Sequence, residues 1–394
     1  MNYRQLLSQR IQQVPPSGIR KFFDIVSDMK DAISLGVGEP DFVTPWNIRE
    51  ACIYSLEKGH THYTSNWGLL ELREEIALYL EHRFSTSYHP ASEIVVTVGA
   101  SEAIDLALRC LLEPGDEVLV PEPSYVSYMP NVVFAGGEAV GITTKAEEQF
   151  RLKPEAVLAK ITPKTKALIL PYPNNPTGAI MERADLEAIA EVLRGTDILV
   201  VSDEIYAELS YHGKHVSFAS LPGMRERTIV INGFSKAFAM TGWRLGYAAG
   251  PEEIIQTMVK IHQYTMLCAP IMSQMAGLEA LKSGFTDGYS QVEKMAKQYN
   301  QRRRIIVDAF NGLGLECFEP LGAFYCFPSI QRTGMTSDEF CEALLAEQKV
   351  AVVPGTAFGP SGEGFVRCSY ASSIEKIQEA IKRIKIFMEY HLNA

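Results

Sequence analysis

Cysteine is sparse and forms no recognisable pairing pattern. Cys52, Cys110, Cys268, Cys317, Cys326, Cys341 and Cys368 include no CxxC pair, and an odd total argues against a disulfide framework. Most lie in apolar runs, where a buried free thiol is the expected state. The opening residues, MNYRQLLSQRIQQ, lack the apolar stretch of a secretory signal. No uninterrupted apolar run reaches the roughly 20 residues that a membrane helix needs. Together these absences predict a soluble protein in a reducing compartment, most simply the cytoplasm. Positive charge is also short. With 37 Lys+Arg against 47 Asp+Glu the net charge is −10, which argues against a chain-wide nucleic-acid or anionic-membrane surface but permits a local anion pocket. The triplet Arg302-Arg303-Arg304 sits in a polar, helical pattern and reads as a solvated face. Repeats, low-complexity tracts and Gly/Ser linkers are missing too. So are the phosphate fingerprints GxGxxG and GxxxxGK[ST].

The 394 residues are too many for one hydrophobic core, and 46% apolar with 21% charged residues is an ordinary globular balance. Two domains are expected. Through the middle of the chain, short β-branched runs alternate with helical stretches. Seven strands are predicted: Glu93–Gly99, Asp116–Glu122, Glu138–Thr144, Lys166–Tyr172, Asp197–Asp203, Thr228–Phe234 and Arg244–Gly250. Several are apolar on both faces, as in a sheet covered by helices on each side. Helical patterns such as Ser101–Leu112 and Arg183–Leu193 fall between them. The alternation predicts an α/β layer architecture with a mostly parallel sheet. The last third differs: a long helix from about Tyr289 to Phe310, short strands near Ala323–Phe327 and Val350–Val353, and capping-box starts at Thr336…Glu339 and Ser372…Glu375. This predicts a smaller α+β domain made of residues 1–44 and 286–394, beside a large domain of residues 45–285. The N-terminal arm packs on the smaller domain or reaches a partner subunit.

In an open α/β sheet, ligands bind beyond the carboxyl ends of the strands, so the residues following each strand matter most. Gly99-Ala100-Ser101 opens a helix after the first, offering free N–H groups and the positive end of the helix dipole; small residues equally suit a plain tight turn. Tyr125, after the second, can lie on a planar ring or merely pack. Pro173-Asn174-Asn175-Pro176-Thr177-Gly178 can hold an asparagine rigidly at the sheet edge. Asp203-Glu204-Ile205-Tyr206 places a carboxylate at an apolar strand tip, which is costly without a cationic partner. Ser235-Lys236 follows the next strand, where desolvation can favour a neutral amine, and Arg244 comes eight residues later. Each alone could be an ordinary packing residue or ion pair; their succession after separate strands is the informative feature.

That constellation resembles the fold-type I, pyridoxal-phosphate-dependent aminotransferases of class I/II. The likeness runs from SLGVGEPDF (Ser34–Phe42) to FVRCSYA (Phe365–Ala371), with NNPTG, SDEIY and SKAFAMTGWRLGY between. GIRKF (Gly18–Phe22), THYTSNWG (Thr61–Gly68), HQYTMLCA (His262–Ala269) and GAFYCFPSI (Gly322–Ile330) are most similar to the bacterial and archaeal aspartate, aromatic and N-acetyl-diaminopimelate branch. The resemblance implies a three-layer α/β/α large domain and pyridoxal 5'-phosphate as cofactor. It implies that Lys236 bonds to the cofactor and then shuttles a proton from the substrate Cα. Asp203 pairs with the pyridine nitrogen, Asn175 and Tyr206 hold the ring O3', and Tyr125 stacks on the ring. Ala100, Ser101, Arg244 and Ser235 hold the phosphate; relatives carry a further serine or threonine where this chain has Gly233 and Phe234. Arg367, helped by the Gly38 N–H, binds the substrate α-carboxylate. Tyr63 reaches the phosphate of a neighbouring subunit, which implies a homodimer with shared sites, and Trp67 lines the same region.

The histidines of His60-Thr61-His62 and His212…His215 have spacings a metal could use, but both lie in polar stretches without a carboxylate or thiolate partner set and read as solvent-exposed. Glu39-Pro40-Asp41 suggests paired acids; within the GEPDF match it reads as structure beside the substrate. The function expected is transfer of an amino group from an L-amino acid to a 2-oxo acid, 2-oxoglutarate, by a ping-pong mechanism. A C–S β-lyase on the same fold is the nearest competitor. A non-catalytic cofactor binder is disfavoured by the intact Lys236, and a Rossmann dehydrogenase by the missing glycine fingerprint. Phe22, Tyr63 and Trp67 lean the substrate side chain towards an aromatic or long acyl group.

Overall fold

The computed structural model describes residue 1, residues 3–18, residue 29 and residues 31–392. Phe22 and most of the Gly18–Phe22 string lie outside them.

Strand β1 (Ile33–Ser34) belongs to the periphery; the centre is a sheet of seven strands. These are β2 (Ile94–Thr97), β3 (Glu117–Glu122), β4 (Glu138–Thr143), β5 (Thr165–Leu170), β6 (Leu199–Asp203), β7 (Thr228–Gly233) and β8 (Gly246–Ala249). Their spatial order is β2-β8-β7-β6-β5-β3-β4. Only β8 runs against its neighbours, so the other six present their carboxyl ends at one edge. Every residue of β2 and of β7 is buried, which explains why these runs are apolar on both faces.

Alternation along each strand divides the core. Val95, Val118, Val120, Ala167, Ile169, Val201, Ile229, Ile231 and Ala248 face one way, onto helices α3 (Ala100–Leu111) and α6 (Glu252–Thr265). Ile94, Val96, Val230, Tyr247 and Ala249 face the other way, against α2 (Leu70–Phe84) and α7 (Ile271–Asp287). On that same face Leu119, Leu168, Leu170 and Val200 meet α5 (Arg183–Leu193). The result is a three-layer α/β/α fold. Each such branched side chain contributes about 1.5–3 kcal/mol by leaving water, so a polar substitution at Ile231 or Val201 would breach both sheet and helix layers.

The C-terminal part builds a second core around α8 (Ser290–Gly312), α9 (Ser337–Gln348) and α10 (Ile374–Leu392). Beside them lies an antiparallel sheet in the order β11-β12-β9, made of Val353–Pro354, Val366–Ser369 and Tyr325–Cys326. The N-terminal segment docks there: β1 pairs in parallel with β10 (Val350–Ala351), Ile33 opposite Val350. The capping box at Thr336…Glu339 forms as expected. The one expected at Ser372…Glu375 does not, because α10 begins one residue later, with Ser373 Oγ accepting the Lys376 N–H at 3.3 Å.

The arginine triplet also departs from expectation. Arg302 and Arg303 are 6% and 4% exposed, on the buried side of α8. Arg302 Nη1 meets Asp41 at 2.7 Å and Arg303 Nη1 meets Glu319 at 2.7 Å. Consecutive charged residues sit about 100° apart around a helix, so carboxylates from other segments can draw two of the three inward. All seven cysteines are free, four of them buried.

Candidate active site

One cavity of about 780 Å³ opens at the carboxyl edge of the sheet, where β2, β3, β5, β6 and β7 end. Its wall includes Gly38, Ala100, Ser101, Tyr125, Asn175, Asp203, Tyr206, Ser235, Lys236, Arg244 and Arg367. These residues come from segments spread over 330 positions of the chain, and the topology brings them to a single place.

At the β2 end, Gly99 adopts φ +81° as the N-cap of α3. A Cβ there would stand 2.6 Å from Arg244 Nη2, so only glycine lets the guanidinium approach the helix start. Arg244 stands two residues before the first residue of the reversed strand β8, and its Nη1 donates to the Thr241 carbonyl at 3.1 Å. The first-turn N–H groups of Ala100 and Ser101 have no partner within the helix. The corner therefore gathers backbone donors, a hydroxyl and a guanidinium with no ion-paired carboxylate among the described residues, which suits an anion.

Beyond β5, Asn174 and Asn175 divide the work. Asn174 Oδ1 accepts the Thr177 N–H at 3.2 Å and the Thr177 hydroxyl at 2.9 Å, which fixes the turn. Gly178 closes it at φ +75°, where a Cβ would stand 2.6 Å from the Tyr325 carbonyl. Asn175 is thereby aimed at the cavity, and its Oδ1 accepts from Arg367 Nη1 at 2.9 Å.

Arg367 arrives on β12 from the C-terminal core. It is buried, donates through Nη2 to the Gly36 carbonyl, and lies over the rings of Tyr325 at 4.6 Å and Phe358 at 4.8 Å. Its Nε is buried without a partner. A desolvated guanidinium with an idle donor is costly unless an anion completes it.

Asp203 ends β6, buried, and desolvation pushes its carboxyl up to about 6. Two hydrogen bonds oppose that rise: the Tyr128 hydroxyl donates to Oδ2 at 2.7 Å and the Ile205 N–H to Oδ1 at 3.2 Å. Lys236 follows β7, and its Nζ donates to the Gly38 carbonyl at 2.7 Å. Burial lowers its pKa to about 8; Glu39 and Asp203 oppose this, while Arg367 and Arg244 add to it. Tyr206 and Tyr325 share a hydroxyl–hydroxyl hydrogen bond of 2.9 Å, and burial raises both phenols above their ordinary value.

Eleven of the twelve expected site residues line this cavity. The twelfth, Tyr63, stands outside it, 83% exposed. Trp67 is outside too; its indole meets the Arg73 guanidinium at 5.8 Å instead of facing the cavity. Glu39 lines the wall and accepts from the Thr241 hydroxyl, while Asp41 is taken up by Arg302. His60, His62 and His212 are exposed as expected, but His215 is not. Its side chain is only 10% exposed, and Nε2 lies 3.2 Å from Glu204 Oε2. No group of three potential metal ligands occurs among the described residues.

Tyr128 and Tyr325 also stand in the cavity wall, although the sequence alone gives them no role there. Tyr128 lies three residues after Tyr125, at the start of α4 (Tyr128–Ala135), a spacing that could have flagged it. Tyr325 lay within a string noticed only for its resemblance.

A family model described as aminotransferase class I and II matches residues 30–384. A putative aminotransferase of Bacillus subtilis is 55% identical over 97% of this chain and 98% of its own. An aspartate aminotransferase of Pyrococcus abyssi is 49% identical over 96% of this chain and 97% of its own. Among solved structures, an aromatic aminotransferase from Pyrococcus horikoshii superposes with a TM-score of 0.89 at 46% identity, covering 94% of this chain and 99% of that one.

Proposed function

Since the chain belongs to the class I and II aminotransferases and its family works with pyridoxal 5'-phosphate, we propose that it moves the amino group of an L-amino acid to 2-oxoglutarate in two successive half-reactions. The donor is aromatic, aspartate-like or acyl-diaminopimelate-like. The observation that carries this reading is the pairing, in one cavity, of an amine lowered to about 8 at Lys236 with the incompletely partnered guanidinium of Arg367.

The residues fit the cofactor on the chemistry of the donors alone. An anion corner, a buried carboxylate and an amine face the same cavity. Bound there, pyridoxal 5'-phosphate supplies an electrophilic carbon and a ring that withdraws electrons from the substrate Cα. Ala100 and Ser101 N–H groups, the Ser101 and Ser235 hydroxyls and Arg244 hold the phosphate. Asp203 keeps the pyridine nitrogen protonated, Asn175 and Tyr206 hydrogen-bond the ring hydroxyl, and Tyr125 covers the ring face.

The Arg367 fork receives the substrate α-carboxylate, assisted by the Gly38 N–H, and so orients the Cα–H bond. With a pKa near 8, a usable share of Lys236 is unprotonated close to neutral pH, and Nζ takes the Cα proton and later returns one. We place the large domain at residues 45–285, with Arg367 on the smaller one. A homodimer is supported by exposed apolar groups that include Tyr63 and Tyr264, the latter 85% exposed; in it Tyr63 reaches the neighbour's phosphate. Seven free thiols favour the cytoplasm. No helix among the described residues is long and apolar enough to cross a membrane.

The test is a half-reaction. Cofactor-loaded protein is mixed separately with L-glutamate, L-aspartate, L-phenylalanine and L-cysteine, and the absorption spectrum is followed. Conversion to pyridoxamine phosphate, reversed by 2-oxoglutarate, is expected with at least one donor. Pyruvate and ammonia from cysteine without that conversion would make the protein a lyase.

A further inference from the structure

Glu102 directly follows Ser101 on the first turn of α3, yet it faces away from the cavity. Its carboxylate folds back along the chain: Oε2 accepts the Val98 N–H at 2.5 Å, and Oε1 lies 2.7 Å from His262 Nδ1. An ionised carboxylate has no proton to give, so Nδ1 is the donor. His262 comes from the last turn of α6 and is 0% exposed, with Nε2 buried and unpartnered. The same turn is tied at Thr97, whose hydroxyl donates to the Gly99 carbonyl at 2.9 Å and whose carbonyl accepts the Gly99 N–H at 2.9 Å.

A carboxylate beside a helix N-terminus is attracted to the free N–H groups there. Those of Ala100 and Ser101 are the donors assigned above to the cofactor phosphate. An unrestrained Glu102 could compete for them, and its charge would oppose a phosphate dianion wherever it swung forward. Held by Val98 and His262, it does neither. A neutral residue would serve if the turn needed only rigidity, so a carboxylate held by a buried histidine is the feature requiring explanation.

We propose that Glu102 and His262 form a positioning pair that keeps the start of α3 open to phosphate; this rests on the cofactor reading above. The pair touches no reacting atom. It acts by restraining the carboxylate and by setting the turn that presents the Ala100 and Ser101 N–H groups.

The test compares cofactor-free wild type with His262→Phe, His262→Asn and Glu102→Asp, titrated with pyridoxal 5'-phosphate and, separately, with pyridoxal. Phe removes the donor to Glu102; Asn can retain a donor near the position of Nδ1; Asp keeps the charge but is too short to span Val98 and His262. Affinity for pyridoxal 5'-phosphate should fall about tenfold in His262→Phe and Glu102→Asp, the scale of an anion interaction at a helix end, with pyridoxal affinity unchanged and His262→Asn near wild type. Should His262→Phe fail to fold, Glu102→Asp decides. Wild-type affinity for pyridoxal 5'-phosphate in Glu102→Asp, or an equal loss for both ligands, overturns the proposal. A wild-type protein that does not distinguish the two ligands overturns the cofactor reading instead.

Discussion

Tyr128 donates its hydroxyl hydrogen to Asp203 Oδ2 at 2.7 Å, across the buried floor where α4 begins and β6 ends. The bond lowers a carboxyl that burial has raised to about 6. Removing it in Tyr128→Phe leaves the desolvation and deletes a stabiliser of the charged form, so the pKa must rise. A hydrogen bond to a charged group is worth about 1.5–3 kcal/mol, or roughly one to two pH units. In the cofactor-free protein the pH at which urea stability levels off, set by this carboxyl, should move up by that amount in Tyr128→Phe. An unmoved plateau would show that the Tyr128 hydroxyl does not stabilise the charged carboxylate.

Asp203 has a cost in the cofactor-free fold that follows from linkage. Its folded pKa, about 6, exceeds its ordinary 3.8. The folded state therefore holds a proton that the unfolded chain has released, and stability falls as pH rises from about 4 to about 6. Asp203→Asn removes the titration, so cofactor-free variant and wild type should diverge in urea denaturation between about pH 4 and 6 and stay apart above it, the variant being more stable by about 3 kcal/mol at most. Turnover should collapse in the same variant. Equal stabilities at pH 8 would show that Asp203 is solvated more than its burial suggests.

Much of the site could be read because it consists of strand ends. A strand apolar on both faces identifies itself, and the polar residue that breaks it off, such as Asp203 or Lys236, then has few roles open to it. Asn175 was legible for a related reason, since a proline-bounded turn constrains where its side chain can point. Side chains that act through other side chains were harder. Tyr128 and Tyr325 are apolar enough to pass for core, and only the three-dimensional neighbours, Asp203 and Tyr206, give their hydroxyls a purpose. The failures at Arg302, Arg303 and His215 share one origin. Each has a carboxylate partner distant in sequence or on another element, Asp41, Glu319 and Glu204, and local polarity carries no record of such a meeting.

Arg302 connects the α8 helix to the Gly38–Asp41 loop, which supplies the carbonyl that holds Lys236. Arg302→Ala would leave Asp41 without its cation, 27% exposed, and would remove the cation stacked on Phe42 and Tyr299. Because Asp41 is partly solvated, the loss should be nearer 2 kcal/mol than the roughly 3–5 kcal/mol of a fully buried broken pair. The loop would loosen, so KM should rise several-fold for every donor with a smaller change in kcat. A drop in stability with unchanged KM would confine Arg302 to the packing of the C-terminal core.

Arg367→Lys separates charge from geometry. Lysine keeps the positive charge but lacks the planar fork, and it cannot both reach Asn175 and present two parallel donors to a carboxylate. The α-carboxylate is common to all amino-acid donors, so their kcat/KM values should fall together, by a factor on the order of 10² as a bidentate ion pair becomes a single contact. Binding of a simple monocarboxylate inhibitor should weaken in parallel. If aspartate and glutamate suffered while phenylalanine did not, Arg367 would be contacting the distal carboxylate, and the α-carboxylate would have to be held by other donors of the cavity.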